Sequence, residues 1–253
     1  MTVIAVFNQK GGVGKTTTSL NLAAALVRGD TSPIAIDLDP QAHLTWACGV
    51  KNLAAAESIS AFYREEKSLA QLVLALPTGL RLIPSHVELS KIDALYGKTA
   101  SITVRLKEGL QAFAASRDVP VLIDCCPVLG VLSLNALFAA DRVLIPVSAD
   151  FLSMQGVHRL EAALRALEAP MKRRLERKIL LTRFDARRKL SFEIYDRLKE
   201  RFGAELCDTR IAENVSLAES PARGQDVFAY APHSPGARDY QALAAELRAK
   251  NFV

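Results

Sequence analysis

The sequence has few cysteines, and their arrangement suits neither zinc binding nor a disulfide framework. It lacks any C-x-x-C pair, its four histidines are dispersed, and its cysteines are Cys48, Cys125, Cys126 and Cys207. No apolar run approaches the ~20 residues that a membrane-spanning helix requires, and no secretory leader precedes the first apolar segment. We therefore expect a soluble protein of the reducing cytoplasm, without a structural zinc site or disulfides.

The chain also lacks internal repeats and any linker rich in proline, glycine or serine. It has 253 residues, of which 50% are hydrophobic. A chain of this length can bury about three quarters of its unfolded surface in one core. We expect a single domain over residues 1–253.

Short apolar runs alternate with amphipathic stretches along the chain. The runs do not alternate internally, which is typical of strands buried on both faces, and they are Val3–Phe7, Ile34–Ile36, Leu80–Ile83, Val121–Ile123, Val143–Val147 and Ile179–Leu181. Helical spacing of apolar side chains occurs at Val157, Leu160, Leu164 and Leu167, at Ile194, Tyr195, Leu198 and Phe202, and at Tyr240, Leu243, Ala244 and Leu247. This order predicts an α/β fold with a doubly wound, mostly parallel sheet and helices on both faces.

Residues 10–17 spell Lys-Gly-Gly-Val-Gly-Lys-Thr-Thr directly after the first apolar run. Glycines let a loop curl so that its N–H groups face inward, and the following helix directs its positive end to the same point. The segment predicts a phosphate-binding loop, in which Lys15 reaches the β- and γ-phosphates and the Thr16 hydroxyl ligates Mg²⁺. The loop is a variant, because Gln9 replaces the usual first glycine and a second lysine, Lys10, follows it.

Three segments together resemble the ParA/Soj partition ATPases, which are relatives of MinD. They are the loop at residues 10–16, Asp37-Leu38-Asp39-Pro40-Gln41, and the strand ending in Asp124-Cys125. The resemblance extends nearly end to end, and residues 181–187 and 214–221 are similar to the chromosomal Soj-like branch. It implies a phosphate-loop ATPase with a deviant Walker A motif, with ATP and Mg²⁺ as cofactors. The nucleotide would be held by Gly11, Gly12, Val13, Gly14, Lys15, Thr16 and Thr17.

Three aspartates follow apolar strand runs, at the edge where ligands bind in open parallel sheets. We expect Asp39 to position the attacking water and Asp124 to hold Mg²⁺ through a water. Asp37 would either ligate the metal indirectly or orient the loop. The alternative is that these residues only cap helices or form turns.

The resemblance implies that Lys10 crosses a dimer interface to the partner's nucleotide. A cation supplied in trans stabilises the transition state only when two subunits close around ATP. The protein would then be a homodimer when it carries ATP, and its hydrolysis would be slow. Lys10 could instead pair with its own phosphates or with surface carboxylates.

Positive charge is concentrated between Lys172 and Lys189, where nine basic residues accompany two acidic ones. The net charge of this segment is +7 and that of the whole chain is +5, so the rest of the chain has a net charge of −2. Such a surface favours a polyanion, although a solvated helix face is the alternative. The resemblance implies that the ATP dimer binds nonspecific DNA on the nucleoid and that a ParB-like or other cargo adaptor stimulates it. The candidate DNA-binding residues are Arg183, Arg187, Arg188, Lys189, Arg210 and Arg223.

One departure from the family bears on DNA binding. Ala212-Glu213-Asn214-Val215-Ser216 stands where the family often has Pro-Arg-Asn-Val-Arg, so that two arginines are lost. An N-terminal helix-turn-helix domain, which some plasmid partition ATPases carry, is not expected. The cargo, whether chromosome, plasmid or protein cluster, is left open.

Two other functions fit the same loop. A MinD-like membrane switch should end in a basic amphipathic helix, and Leu243–Val253 offers too little of one, so we expect no membrane partner. A small-molecule enzyme of the dethiobiotin synthetase type shares the fold. An iron–sulfur role for Cys125-Cys126 is a further alternative to their behaving as small apolar residues on a buried strand.

Overall fold

The computed structural model describes residues 1–92, 100–114, 119–150, 161–169 and 171–253. Its described strands form one eight-stranded sheet of order β3-β4-β2-β5-β1-β6-β7-β8. The strands are β1 (Val3–Val6), β2 (Ile34–Leu38), β3 (Leu74–Ala75), β4 (Arg81–Ile83), β5 (Val121–Cys125), β6 (Arg142–Ser148), β7 (Glu176–Phe184) and β8 (Leu206–Ala212).

The sheet is parallel except at one edge. β3 runs antiparallel to β4, and the other described pairings are parallel. The predicted doubly wound, mostly parallel α/β sheet is therefore confirmed. Two strands are additional to the six apolar runs. β3 has two residues, and the edge strand β8 contains the polar run Asp208-Thr209-Arg210, so neither shows the unbroken apolar signal of a central strand.

Helices connect the strands and cover both faces of the sheet. The α-helices are α1 (Lys15–Arg28), α2 (His43–Ala47), α3 (Ile59–Tyr63), α4 (Arg105–Ala114), α5 (Val131–Ala139), α6 (Lys189–Phe202), α7 (Val215–Glu219), α8 (Val227–Tyr230) and α9 (Pro235–Ala249). Residues 161–169 are also helical, and short 3₁₀ helices cover Ala55–Glu57, Leu69–Leu72, Val87–Ser90, Ala100–Val104, Gly203–Glu205 and Ser220–Arg223.

The predicted helical stripes agree with these boundaries where they can be compared. The stripes that begin at Ile194 and Tyr240 lie on α6 and α9. Leu164 and Leu167 lie in the helical segment 161–169, whereas Val157 and Leu160 lie outside the described residues. No helix in the described part of the chain is long and apolar enough to cross a membrane.

Two hydrophobic clusters lie on opposite faces of the sheet. Ala5 and Ile123 belong to one cluster, and their strand neighbours Ile4 and Leu122 belong to the other. Both faces are buried because α1 and α9 cover one side while α4, α5 and α6 cover the other. This explains why the central strands are apolar without alternation, and it leaves the carboxyl edge of the sheet as the place where polar side chains collect.

Candidate functional site

The loop between β1 and α1 has a backbone that requires glycine at two points. Gly12 and Gly14 have φ angles of 74° and 87°, a region that L side chains rarely adopt. Gly14 is also the N-cap of α1 and offers no side chain to the first N–H groups of the helix. Beneath the loop, Val13 is fully buried and its carbonyl accepts a 2.8 Å hydrogen bond from the Thr182 hydroxyl. The loop is thus fastened from below, while the N-terminal N–H groups of α1 lack a side-chain cap and suit an anion.

A cleft of about 880 Å³ opens above this loop. The lining includes Gly11, Gly12, Gly14, Lys15, Thr16 and Thr17 of the loop and of α1, together with Asp39 and its neighbours and Cys126-Pro127-Val128. Cleft sites of this size accommodate a nucleotide-sized ligand. The structure therefore brings the predicted phosphate loop and the predicted water-positioning aspartate to one cavity.

Lys15 lies folded against its own loop. Its side chain is largely buried, and Nζ donates a 3.1 Å hydrogen bond to the Lys10 carbonyl. Burial lowers the pKa of Lys15, while the nearby Asp124 carboxylate opposes that shift. A buried ammonium whose described contact is one carbonyl is well placed to take an anionic oxygen in addition.

Asp124 follows the apolar run Val121–Ile123 and lies within β5, next to its last residue Cys125. It is fully buried, and its two oxygens accept hydrogen bonds from the Thr16 hydroxyl at 2.8 Å and the Ser19 hydroxyl at 2.9 Å. Burial and the neighbouring Asp37 raise the pKa of Asp124 to about 7. A hydroxyl and a carboxylate this close form the oxygen donor set that Mg²⁺ prefers, so the residues present fit the metal that the fold implies.

Asp37 is the register partner of Asp124 on the neighbouring strand, and it also lies inside its strand. One oxygen accepts from the Thr45 N–H at 2.8 Å and the Thr45 hydroxyl at 2.7 Å, and the other accepts from the Asp39 N–H at 3.1 Å. Burial raises the pKa of Asp37 to about 6. All three bonds go to the segment after β2, so Asp37 holds that segment, with Asp39, in place.

Asp39 is partly exposed at the start of this turn. Its Oδ1 accepts from the Gln41 N–H at 2.9 Å, and its carbonyl accepts from the Ser85 hydroxyl at 2.7 Å. The carboxylate therefore has one bound oxygen and lines the cleft above the loop. This position is compatible with a water-holding role.

Lys10 has a different environment from Lys15. Its Nζ forms a 2.6 Å salt bridge with Asp150, which also accepts a short hydrogen bond from the Ser148 hydroxyl. Its backbone N–H donates to the Asn8 side chain at 3.0 Å. Within the chain, Lys10 thus pairs with a carboxylate, which is one of the alternatives that the sequence left open. That Lys10 reaches the nucleotide of a second protomer stays a prediction.

A second, smaller cavity of about 260 Å³ lies beside the loop, between the ends of β7 and β8. Its lining residues are Gly12, Gly14, Thr17, Thr182, Arg183, Ile211, Ala212, Glu213, Asn214, Leu217, Ala218 and Tyr240. The Oδ1 atom of Asn214 is buried and has no hydrogen-bond partner in the described part of the chain. The sequence does not predict this cavity, because its walls come from segments more than 200 residues apart, from Gly12 to Tyr240, and no single motif includes them.

The six candidate DNA-binding residues do not form one free cationic surface. Arg183 is paired with Glu213, and both Arg187 and Arg188 contact the Asp185 carboxylate, at 2.9 and 3.2 Å. Lys189 is almost fully exposed at the start of α6. Arg223 ends the 3₁₀ helix Ser220–Arg223.

Arg210 is partly buried and lies against two aromatic rings. Its guanidinium lies 4.7 Å from the ring centre of Phe184 and 4.8 Å from that of Tyr195. Cation–π contacts on two sides restrict its reach toward a phosphate.

The rim of the large cleft carries exposed apolar side chains. Trp46 on α2 is 57% exposed, and Val128 on the other wall is 68% exposed. Lys51 Nζ lies 5.3 Å from the Trp46 ring centre. Cys126 lines the cleft with its thiol in contact with the Ser133 hydroxyl, whereas Cys125 is buried in β5.

The loop between a central strand and a helix, with aspartates on two adjoining strands, defines a phosphate-loop nucleotide-binding protein of the deviant Walker A type. Residues 1–177 match the family model described as an AAA domain. The chain is 34% identical over 249 residues to the sporulation initiation inhibitor protein Soj of Bacillus subtilis, covering 98% of each chain. It is 38% identical to the chromosome-partitioning ATPase Soj of Thermus thermophilus, covering 98% of this chain and 95% of that one.

A solved structure is similar in fold as well. Cobyrinic acid a,c-diamide synthase from Mycobacterium smegmatis, bound to an ATP analogue and magnesium, has a TM-score of 0.85 at 27% identity, with 98% of this chain and 94% of that chain covered. Its ligands support nucleotide and Mg²⁺ binding by this architecture. On these findings the chain belongs to the ParA/Soj-type partition ATPases, as its motifs indicate.

Proposed function

We propose that this protein is an ATP-dependent dimerisation switch that hydrolyses ATP slowly and positions DNA or a large protein cargo. The observation that carries the proposal is the difference between the two loop lysines. Lys15 is folded onto its own loop, whereas Lys10 is bound to Asp150 at a partly exposed site. Lys15 would bind the triphosphate of its own protomer. Lys10 would leave Asp150 and bind the triphosphate of a second protomer.

The chain's own residues would share the work on the triphosphate. Backbone N–H groups of residues 11–17 and the Lys15 ammonium would neutralise the phosphate charge, and Asp39 would hold the attacking water in line. Thr16 and Asp124 would hold Mg²⁺, which supplies further charge neutralisation when bound. The name of one relative, the chromosome-partitioning ATPase Soj of Thermus thermophilus, supports ATP as the nucleotide.

Dimerisation would follow from the exchange of Lys10. Two protomers that each lend Lys10 to the other's phosphates are held together only while the γ-phosphate is present. Hydrolysis would then release the pair and return Lys10 to Asp150. A ParB-like or other adaptor would stimulate this step, and one domain over residues 1–253 would suffice for the cycle.

Nonspecific DNA is the proposed polyanionic partner of the ATP dimer. Arg187, Arg188 and Lys189 lie side by side at the turn into α6, and Asp185 and Glu193, which pairs with Lys189 at 3.8 Å, neutralise part of their charge. Each cation placed on a phosphate releases counterions, so the binding would be strongly salt-dependent. The protein would then act in the cytoplasm on the nucleoid.

A small-molecule enzyme is the second candidate, and the fold likeness to a diamide synthase favours it. The identity to that structure is 27%, against 34% and 38% for the partition proteins Soj. The Lys10 signature and the Asp-Leu-Asp-Pro-Gln turn favour the switch. Retention on DNA would separate the two.

The test of the switch is Lys10→Ala. We expect the variant to bind ATP but to remain monomeric by light scattering with ATP and Mg²⁺, while the wild type dimerises. Lys107→Ala, which removes an exposed lysine from α4, is the control and should dimerise normally. A Lys10→Ala dimer equal to the wild type would contradict the proposal.

The test of the partner is sedimentation with nonspecific duplex DNA. We expect ATP-dependent retention that declines as the salt concentration rises. If the ATP-bound protein is not retained at low salt, nucleoid binding is wrong. Retention on anionic vesicles instead of DNA would favour the MinD-like alternative.

A further inference from the structure

The small cavity beside the phosphate loop has three walls. The loop supplies Gly12 and Gly14, the end of β7 supplies Thr182 and Arg183, and the turn from β8 into α7 supplies residues 211–214. The floor includes Tyr240 of α9, whose hydroxyl lies 3.1 Å from the Thr18 hydroxyl of α1. A ligand whose phosphates lie on the loop would therefore extend its other end between β7 and β8.

Arg183 contacts all three walls of this cavity. It extends from β7, its Nε and Nη2 each donate to the Glu213 carboxylate at 3.2 Å, and its Nη1 lies 3.5 Å from the Gly12 carbonyl oxygen. A bidentate guanidinium–carboxylate pair fixes both distance and plane, which a single-point ammonium contact would not do. The pair therefore links the end of β7 to the residue that follows β8.

The backbone at Arg183 is unusual for a residue with a side chain. Its φ angle is +53°, in the left-handed region, and the β7–β8 register shifts between Leu181 and Phe184. A non-glycine residue is strained in this region, so surrounding contacts must hold it there. Glu213 supplies one such contact by its side chain and another by its N–H, which donates to the Phe184 carbonyl at 3.0 Å.

We propose that the Arg183–Glu213 pair is a clamp that shapes this cavity for a purine base, with Arg183 as a positioning residue. The inference rests on the proposed function, since it takes the bound ligand to be a nucleoside triphosphate. A planar guanidinium on one wall suits the face of a purine.

The clamp also accounts for a departure noted in the sequence. Glu213 occupies a position where the family often has arginine, and its acid charge is compensated by Arg183. Because Glu213 neutralises Arg183, Arg183 is not available as a cation for DNA. The Arg183 charge thus serves the nucleotide cavity, and the turn at residues 187–189 remains as the site of DNA contact.

The test measures affinity for ligands with and without a base. Isothermal titration calorimetry with Mg²⁺ compares ATP, GTP and inorganic tripolyphosphate on the wild type, Arg183→Gln and Glu213→Gln. We expect each variant to bind ATP and GTP about tenfold more weakly than the wild type, and tripolyphosphate within about twofold of it. The double variant should lose no more than either single variant, because both remove the same pair.

The matched control is Arg174→Gln. Arg174 is also an exposed arginine paired with a glutamate, Glu205, at 2.9 Å, but it lies before β7 and far from the cavity. It should leave all three affinities unchanged. Both clamp residues are about half exposed, so we expect the variants to fold, with melting temperatures within about 2 °C of the wild type.

Other results would overturn the inference. If the wild type binds ATP and the clamp variants bind it equally well, the clamp does not position the base, and the proposed function stands. If the variants lose tripolyphosphate and ATP affinity equally, Arg183 acts through the phosphate loop and not on the base. If the wild type binds neither ligand, the proposed function itself fails.

Discussion

The two halves of the carboxyl edge of the sheet are built in different ways. At the ends of β1, β2 and β5 the polar groups are buried and bound to backbone or to short hydroxyl side chains, as Asp37 and Asp124 show. At the ends of β7 and β8 the polar groups are long, half-exposed side chains that pair with one another, as in Arg183–Glu213. Under the proposed function, the first half would bind phosphate, which every nucleotide shares, and the second would face the parts of ligands and partners that differ.

This difference follows from the physical chemistry of the two tasks. Phosphate is recognised by N–H groups and by fixed carboxylates, which demand a particular backbone and tolerate little substitution. A base or a partner surface is recognised by side-chain shape and charge, and exposed ion pairs contribute little to stability. The second half can therefore change without unfolding the protein.

The largest effect should come from Lys15→Ala at the phosphate end. Removal of the buried ammonium should weaken ATP binding about a thousandfold, or about 4 kcal/mol, because several charge-assisted bonds to phosphate are lost together. Calorimetry with ATP and Mg²⁺ measures this. Lys51→Ala, at the rim beside Trp46, is the control with the same loss of charge. Similar losses in both variants would mean that bulk charge and not the loop binds the phosphates.

Thr45→Val should show how the buried half depends on internal hydrogen bonds. The Thr45 hydroxyl donates to Asp37 at 2.7 Å and accepts from the Ser85 N–H at 2.9 Å. Replacement by valine leaves both groups buried without this partner, so urea unfolding should show a loss of about 2 kcal/mol. Thr78→Val, which removes a 3.4 Å bond in an exposed turn, should cost less than about 0.5 kcal/mol.

The buried carboxylates should also make stability depend on pH. Burial raises the pKa of Asp37 to about 6 from an ordinary value of 3.8, so the folded state binds more protons than the unfolded state between these values. The free energy of unfolding contributed by Asp37 should therefore fall as the pH rises from about 4 to about 6. Urea titrations should show a flatter pH dependence in Asp37→Asn than in the wild type. Parallel curves for the two proteins would show that Asp37 titrates normally.

The smallest effect is expected at the exposed half, for Lys189→Gln. Loss of one cation at the start of α6 should weaken nonspecific DNA binding severalfold and reduce the logarithmic salt slope by about one. Lys199→Gln removes the same charge from the last turn of the same helix, about 15 Å away, and should leave the slope unchanged. Unfolding should be unaffected in both variants. Equal slopes in all three proteins would place the DNA contact elsewhere.

The fold and the phosphate end could be predicted because local sequence determines them. The loop needs glycine at Gly12 and Gly14 whatever its surroundings, and unbroken apolar runs indicate strands covered on both faces. The sequence places Asp37 and Asp124 at the ends of apolar runs, but it does not show their hydroxyl partners, which are Thr45 for Asp37 and Ser19 for Asp124.

The β7–β8 half could not be predicted, since its features arise between distant segments. Arg183 and Glu213 are 30 residues apart, and each alone suggests a surface charge. From the sequence alone Arg210 is a surface cation, and only the fold brings its guanidinium within 4.8 Å of the ring centres of Phe184 and Tyr195. The edge strand β8 contains too many polar residues to be recognised as an apolar run.

The single tryptophan of the chain lies on the wall of the nucleotide cleft, half in solvent. Its emission is consequently an intrinsic optical signal from that one wall, with no other indole to mask it. Stopped-flow mixing with ATP can follow the arrival of nucleotide, and acrylamide quenching can report whether a second protomer covers the ring. The kinetics of the whole cycle are thereby open to measurement on the unlabelled protein.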